Sequence, residues 1–451
     1  MTSPPFDIQA SVFGLADKLR GLDRLAAGRH VANLAALGVL SATDGKPSPR
    51  WSDVRNAAVH YGDHESLADH LYALSREVER DHAALRNIFS HTLTPDILQA
   101  GGTLPQLVAL AGMVVEQYAP ARDRFEAWYD AVISLGSSAG RQTGDIQTPK
   151  NLARLMVELA EIQPGMSVLD PACGAGETLR EAAQLQRSAD LFGQEISALG
   201  LAIATLRLFL LRQGACLQLG DAIRAPARWP GRSATFDRVI CDPPYGLAVA
   251  PGYDLQLRHQ FQHVRSRRSE AWFLQLCLES LNPEGRAVIL LPLGFLARKS
   301  EAAYWSELVE AGRLEGVISL PSGVIPGTDI PAALVIVRGS DSKREKVTFV
   351  DASYLIESGK RATQRLTTEQ VEGLVSLYRD PGDPMRAAIV PSEDVVRQGG
   401  EVQPKAWITS PEMDWPAPSD LYRKALEAEA LAASARSELD ELMVLFKLRA
   451  P

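Results

Sequence analysis

Val168-Leu-Asp-Pro-Ala-Cys-Gly-Ala-Gly-Glu-Thr-Leu179 reads as a short apolar strand, a tight glycine-containing turn and the start of a helix. Downstream, short apolar strands alternate with helices. Strands are expected at Ser167–Asp170, Leu191–Glu195, Cys216–Leu219, Arg238–Cys241, Arg286–Leu291, Glu315–Leu320 and Ala333–Val337. Helices are expected at about Thr178–Gln186, Ala198–Arg212, Glu270–Leu281 and Glu301–Glu310. Such alternation predicts a mainly parallel, doubly wound α/β sheet. Upstream, from about Phe6 to Leu135, the pattern is helical, with amphipathic stretches such as Val12–Leu25 and Leu67–Ile88. Ser137–Gly144, rich in Gly and Ser, separates the two regions. Beyond Asp351 the pattern weakens to two helical pieces, Thr367–Leu377 and Asp420–Leu448, with a Pro-rich stretch from Pro381 to Pro418 between them. The expected domains are a helical region over 1–140, a Rossmann-like sheet domain over 141–352 and a C-terminal region over 353–451.

In an open α/β sheet, ligands sit beyond the carboxyl ends of the strands, where glycine lets backbone come close. The turn after Val168 is neither the dinucleotide G-x-G-x-x-G nor a phosphate loop with its Gly-Lys-Ser/Thr. Asp170 at the strand end suits a ligand bearing positive charge and hydroxyls, and S-adenosylmethionine is such a ligand. Glu195 ends the second strand, where two carboxylate oxygens can accept both ribose hydroxyls. Asp221, after Gly220, ends the third and can accept from an adenine amino group. Singly, each acid reads as a solvated loop residue. Three at successive strand ends, with the glycine turn first, point to cofactor binding.

The fourth strand ends in Cys241-Asp-Pro-Pro-Tyr-Gly246. The amino group of adenine is a poor nucleophile because its lone pair is delocalised into the ring. The Asp242 side chain and the Pro243 carbonyl could each accept one N–H and free that lone pair for attack on a sulfonium methyl. Pro243 and Pro244 stiffen the loop, and Tyr245 offers a flat ring to a base taken out of a duplex. The rest is positioning.

With these motifs, over about Phe13 to Ser340, the chain resembles the N6-adenine DNA methyltransferases, in detail the modification subunit of type I restriction–modification systems. Asp170-Pro-Ala-Cys-Gly-Ala-Gly176 is close to that family's D-P-A-C-G-S-G, and Gly193-Gln-Glu195 matches its G-x-E. Gln147-Thr-Pro149 matches a T-P element whose backbone touches the methionine part of the cofactor, and Leu320-Pro-Ser-Gly-Val-Ile325 matches L-P-x-G-V-F. Ala16-Asp-Lys-Leu-Arg-Gly21 is similar to the family's opening helix. The resemblance implies cofactor contacts at Thr148, Pro149, Asp170, Pro171, Cys173, Gly174, Gly176, Glu195, Ile196 and Asp221. It implies catalysis by Asp242, Pro243, Pro244 and Tyr245. Three departures stand out: Asp242 replaces the usual Asn, Gly176-Glu-Thr178 replaces Gly-Gly-Phe, and Ile325 replaces a Phe that would stack on the flipped base.

Arg258, Arg265, Arg267 and Arg268 follow Tyr245 and are placed to hold phosphates around a flipped base, or else form a solvated loop. The eight histidines show no ligand spacing, so no metal is expected. The four cysteines lack C-x-x-C pairing and read as reduced, mostly buried thiols of a cytoplasmic protein. Met1 to Asp7 lack a basic, then apolar, leader pattern, so no signal peptide is expected, and no apolar run suits a membrane span.

The net charge of −8 opposes a grip on nucleic acid unless basic residues cluster or a partner supplies them. Leu421, Ala425, Ala428, Ala432, Ala435, Leu439, Leu442 and Phe446 form a seam of coiled-coil spacing, suited to a partner helix or to the chain's own domain. The sequence shows no recognisable target-recognition domain. The resemblance implies that a separate specificity subunit reads the DNA, with two copies of this chain on it. Whether a restriction subunit accompanies them stays open. So do two other readings: methylation of RNA guanine N2 or of protein glutamine, and a non-catalytic scaffold.

Overall fold

The computed structural model describes residues 24–59, 64–93, 103–136, 148–229, 234–248, 268–325, 328–355 and 365–408. The expected helix at Asp420–Leu448, Lys18 and Arg20 of the opening helix, His259 and His263 lie outside these residues.

The N-terminal part is helical: α1 (Arg24–Ser41), α2 (Pro49–Val59), α3 (His64–Asp81), α4 (Ile88–Thr92), α5 (Leu104–Tyr118) and α6 (Arg122–Gly136). Its apolar stripes close on one another around Trp51, Phe89, Phe125 and Tyr129, all fully buried. The sheet region opens with α7 (Lys150–Ala160), then β1 (Ser167–Asp170), α8 (Glu177–Leu185), β2 (Asp190–Glu195), α9 (Ala198–Leu210), β3 (Ala215–Leu219) and β4 (Phe236–Cys241). It continues with α10 (Ser269–Glu279), β5 (Leu281–Pro292), α11 (Leu293–Leu296), α12 (Ala302–Glu310), β6 (Leu314–Ser319), β7 (Ala332–Arg338) and β8 (Lys346–Asp351). Last come α13 (Thr368–Arg379), β9 (Ala387–Pro391) and α14 (Ser392–Arg397).

The nine strands form one sheet in the order β3-β2-β1-β4-β5-β7-β6-β8-β9. β3, β2, β1, β4 and β5 run parallel, whereas β7 lies antiparallel between β5 and β6. All seven expected strands are present, within a few residues at their ends. The sheet also takes in β8 and, beyond residue 352, the edge strand β9, which together with α14 occupies part of the expected Pro-rich separator. The central strands are apolar throughout because both faces are covered. On β5, Ala287, Ile289 and Leu291 pack into one cluster, while Val288 and Leu290 pack into the cluster on the opposite face. This is the two-residue period of a strand.

The strand order reverses direction between β1 and β4, each of which pairs with the other and with an outer strand. Such a switch point opens a crevice at the carboxyl ends of the two strands. The turns after Asp170 and after Cys241 are the two that border it.

The helical region is joined to the sheet region through α9, whose Ala202, Ile203 and Leu206 belong to the apolar cluster of the N-terminal helices. Arg207, 1% exposed, sits beside them. Its Nε donates to Asp130 of α6 at 3.0 Å, and its Nη2 to Glu177 of α8 at 2.6 Å. Its Nη1 donates to the Ala175 carbonyl at 2.9 Å, inside the glycine turn itself. Arg180 of α8, also buried, pairs with Glu126 at 3.1 Å and Asp130 at 3.0 Å.

Among the described residues no helix is long and apolar enough to cross a membrane. Cys173, Cys241 and Cys277 are buried and Cys216 is exposed.

Removing one partner of a buried ionic network leaves the others desolvated and uncompensated. Arg207→Met, which keeps much of the side-chain volume, is expected to lower unfolding stability by about 3 kcal/mol. Urea denaturation followed by circular dichroism measures it; an unchanged midpoint would show that the guanidinium does not join the two regions.

Candidate active site at the switch point of the sheet

The turn after β1 is built by its own hydrogen bonds. The Cys173 N–H donates to the Gln194 carbonyl at 3.0 Å, and the Gly176 N–H to the Cys173 carbonyl at 2.7 Å. Gly176 caps α8 with a left-handed φ of 79°, and a Cβ there would stand 2.9 Å from the Cβ of Ala204. Gly176 is therefore what lets α8 and α9 approach each other. Gly174, with φ of 52°, is different: a Cβ on it would meet nothing within 4 Å. Its open side is room above the turn that a ligand can use. Pro171 and Cys173 are buried in the floor of the turn.

Asp170 lies buried at the base of the turn. It is 1% exposed, with one carboxylate oxygen accepting from the Ala172 N–H at 3.0 Å and the other from the Thr178 hydroxyl. In the ligand-free chain this carboxylate holds the glycine turn in shape. Burial pushes its pKa up to about 7, the two hydrogen bonds pull it down, and the neighbouring Asp242 and Glu195 carboxyls add to the rise.

Glu195, at the end of β2, is half-buried. Its Oε2 accepts from the Gly174 N–H at 2.8 Å and its Oε1 from the Ser197 N–H at 2.7 Å. Each oxygen of a carboxylate offers two lone-pair sites, so one acceptor position per oxygen is left for hydroxyls. Ile196 beside it is 69% exposed, a lone apolar surface suited to the face of a flat ring. Asp221 accepts from the Ile223 and Arg224 N–H groups at 3.0 and 3.1 Å, both through Oδ1, which leaves Oδ2 to accept from an amine.

After β4, Asp242 is half-buried and its Oδ2 accepts from the Thr148 hydroxyl at 2.6 Å. Desolvation raises the Asp242 pKa to about 6, and the Thr148 hydrogen bond lowers it. Thr148 therefore meets the Asp-Pro-Pro-Tyr turn with its side chain, beyond the backbone contact to the cofactor implied by resemblance. Pro149, buried, is the N-cap residue of α7. The Pro244 carbonyl accepts from the Ser269 hydroxyl at 3.0 Å, and the Ser269 N–H donates to the Leu247 carbonyl at 2.9 Å. The start of α10 thus braces the turn from behind. Among the described residues the Pro243 carbonyl accepts no backbone hydrogen bond. Tyr245 leans on the apolar cluster of one sheet face, its hydroxyl is buried without a hydrogen-bond partner, and burial raises its pKa strongly.

Ile325 also departs from expectation. It is 4% exposed and belongs to the same apolar cluster, so it is a core residue and not an open platform for a base. A hydrophobic residue after a turn reads equally well both ways from sequence. Of the four arginines, Arg258, Arg265 and Arg267 lie outside the described residues. Arg268 is exposed beside the Asp-Pro-Pro-Tyr turn, where it forms an antiparallel bridge with Ala248. Thr178, Ser269 and Arg207 are residues of the site that motif reading passed over. Their signals were a hydroxyl eight residues after Asp170, a hydroxyl opening a helix, and an arginine in an otherwise apolar helix.

The model for N-6 DNA methylases matches residues 120–413. A type I restriction enzyme methylase subunit from Methanocaldococcus jannaschii (MjaVII) is 26% identical over 278 residues, which cover 56% of this chain and 47% of the relative. The EcoEI methylase subunit from Escherichia coli is 25% identical, with 57% and 54% covered. The chain spans about half the length of these curated relatives. The crystal structure of a type I restriction–modification methyltransferase subunit from Streptococcus thermophilus superposes with a TM-score of 0.65 at 19% identity, covering 89% of this chain and 99% of that one. That likeness is one of fold. A model matched over well more than half of the chain, together with the two turns at the switch point, establishes that the chain belongs to the N-6 DNA methylase family.

Proposed function

We propose that the chain transfers a methyl group from S-adenosylmethionine to the exocyclic N6 of adenine in DNA. It does so as the modification subunit of a type I-like restriction–modification system in the cytoplasm, with a separate specificity subunit. The observation that carries this reading is the pairing at one switch point of an open glycine turn with an Asp-Pro-Pro-Tyr turn whose Asp242 is oriented by Thr148. Assembly with other subunits is supported by relatives described as methylase subunits of type I restriction enzymes; two copies on one specificity subunit, with or without a nuclease, is the arrangement the family resemblance implies.

The residues present fit the cofactor. Burial raises the affinity of Asp170 for a proton, and the neighbouring Asp242 and Glu195 carboxyls add to that rise. A pocket with that surplus of negative charge favours a cationic ligand. Glu195 would hold the ribose, Ile196 and Asp221 the adenine, and the Gly174 turn the methionine part. When bound, S-adenosylmethionine supplies a methyl group on a sulfonium that is its own leaving group. Asp242 and the Pro243 carbonyl accept the two N–H bonds of the target amine, drawing its lone pair out of the ring. Asp242, with its pKa near 6, can also take the proton the nitrogen sheds once methylated. Tyr245 and the braced turn fix where the base stands.

Binding has a pH dependence of definite sign. Asp170 and Asp242 have pKa values raised to about 7 and about 6, so both are partly protonated in the free protein near pH 6.5. A cationic ligand favours the ionised carboxylates, so protons leave on binding and affinity rises as pH rises through this window. Calorimetry at pH 6.5 in buffers of different ionisation enthalpy should show proton release. Enthalpies independent of the buffer would overturn this account of the acids, and no binding at all would overturn the cofactor assignment.

Asp242→Ala should reduce methyl transfer at least about a hundredfold, far more than it weakens cofactor binding, which loses one of the carboxylates near the cation. Asp242→Asn should keep part of the activity, since its amide oxygen can still accept. Mass spectrometry of nucleosides from methylated DNA, beside RNA and peptide substrates, reads the product. N2-methylguanine or methylglutamine in place of N6-methyladenine would replace the substrate assigned here.

A further inference from the structure

We propose that Thr148 is a positioning residue for the acceptor carboxylate: its hydroxyl occupies Oδ2 of Asp242 and so commits Oδ1 to the substrate amine. The inference rests on the methyl-transfer reading above and adds to it a role for a side chain distant in sequence. Thr148 precedes α7 and Asp242 follows β4, yet Oγ1 and Oδ2 are 2.6 Å apart across 94 residues. This is the short distance of a hydroxyl donating to a charged oxygen.

A carboxylate at the end of a strand has a terminal torsion with broad preferences, so it needs a second contact to hold one orientation. The backbone already fixes the turn, through Ser269 on the Pro244 carbonyl and on Leu247. Neither of these bonds touches the Asp242 side chain; the Thr148 hydroxyl does. Because a hydroxyl both donates and accepts, it can hold an Asn in the same pose by accepting from the amide. Thr148 is thus compatible with either residue at 242, whereas an apolar side chain there is compatible with neither.

The hydrogen bond also sets the charge state. The titratable groups about Asp242 are Asp170 at the end of β1, with Glu195 behind it, and Cys241 and Tyr245 in its own turn, with Glu270 of α10 near Tyr245. All are acidic groups, so they do not favour a second negative charge. Burial opposes the charge as well, and the Thr148 bond favours it. A protonated Asp242 would be a weaker acceptor for the amine and could no longer take the proton that the nitrogen sheds.

The test uses the full chain with 13C-labelled aspartate. Carboxyl NMR titration of the ligand-free protein gives the Asp242 signal, assigned by its loss in Asp242→Asn. Thr148→Val should move this titration upward by roughly one unit, as loss of a charge-assisted hydrogen bond requires. Thr148→Ser should return it to the wild-type position. In methyl transfer, the acid limb of kcat should move upward with Thr148→Val, with kcat at pH 7 reduced about tenfold and cofactor affinity within about twofold of wild type. In the Asp242→Asn background the limb should be absent, and Thr148→Val should shift nothing. A Thr148→Val protein with the wild-type Asp242 titration and the wild-type acid limb overturns the proposal, as does a loss confined to cofactor affinity. If the NMR titration moves as expected but wild-type protein methylates no adenine, Thr148 keeps its role and the methyl-transfer reading falls.

Discussion

The guanidinium of Arg207 is the constraint on which the site depends. It is removed from water, and a lone buried cation would cost several kcal/mol in desolvation. Its N–H donors make four hydrogen bonds instead, to Asp130 from the helical region, Glu177 from the helix that follows the glycine turn, and the Ala175 carbonyl within that turn. A planar fork with fixed directions can only be satisfied when all three stand in place. The N-terminal helices and the turn are thereby set against each other by one side chain, with Arg180 repeating the link through Glu126 and Asp130. Gly176-Glu-Thr178, a departure from the family's pattern, finds its reason here. Glu177 completes the charge balance of Arg207, and the Thr178 hydroxyl donates to Asp170.

From that anchored turn the electrostatics of the crevice follow. Among the described residues, Asp170, Glu195 and Asp242 have backbone N–H groups or hydroxyls, not cations, as their hydrogen-bond partners. Hydrogen bonds of this kind hold the acids in position without neutralising them. On the proposed reading the pocket is shaped in advance for positive charge; burial raises the pKa of both Asp170 and Asp242, and at Asp170 the Asp242 and Glu195 carboxyls add to the rise. Preorganisation of this sort lowers the reorganisation needed at the reacting centre.

Much of this architecture was legible in the chain itself. The strands from β1 to β7 are apolar and short, the helices between them are periodic, and the glycine turn and Asp-Pro-Pro-Tyr are local patterns. What escaped is of three physical kinds. β9 is a five-residue edge strand with Ile389 exposed, and its pairing with β8 comes from tertiary context, since little in five residues distinguishes it from loop. The direction of a carboxylate is not a property of its motif: Asp170 turned inward because Ala172 and Thr178 gave it donors on that side. Long-range partners are the third kind, since Arg207 meets Asp130 from 77 residues away and Thr148 meets Asp242 from 94. Ile325 belongs with the second, as hydrophobicity alone does not say whether a side chain faces a base or a core.

The acid-lined crevice also bears on how DNA would be held. A duplex carries about one negative charge per 1.7 Å of axis, so a chain of net charge −8 repels it at long range. The same carboxylates that favour a cationic cofactor sharpen this conflict at the point where a base must enter. On the proposed reading cofactor and DNA would be linked in sign: a bound cation beside Asp170, Glu195 and Asp242 would remove part of the charge that an approaching phosphate meets. Arg268, exposed next to the Asp-Pro-Pro-Tyr turn, is placed to contact a backbone phosphate once a base is there. A single such cation positions a strand and reads no sequence. On the proposed reading, both the long-range attraction and the choice of site then have to come from a more basic surface, which is the physical reason for dividing methyl transfer and DNA recognition between two kinds of subunit.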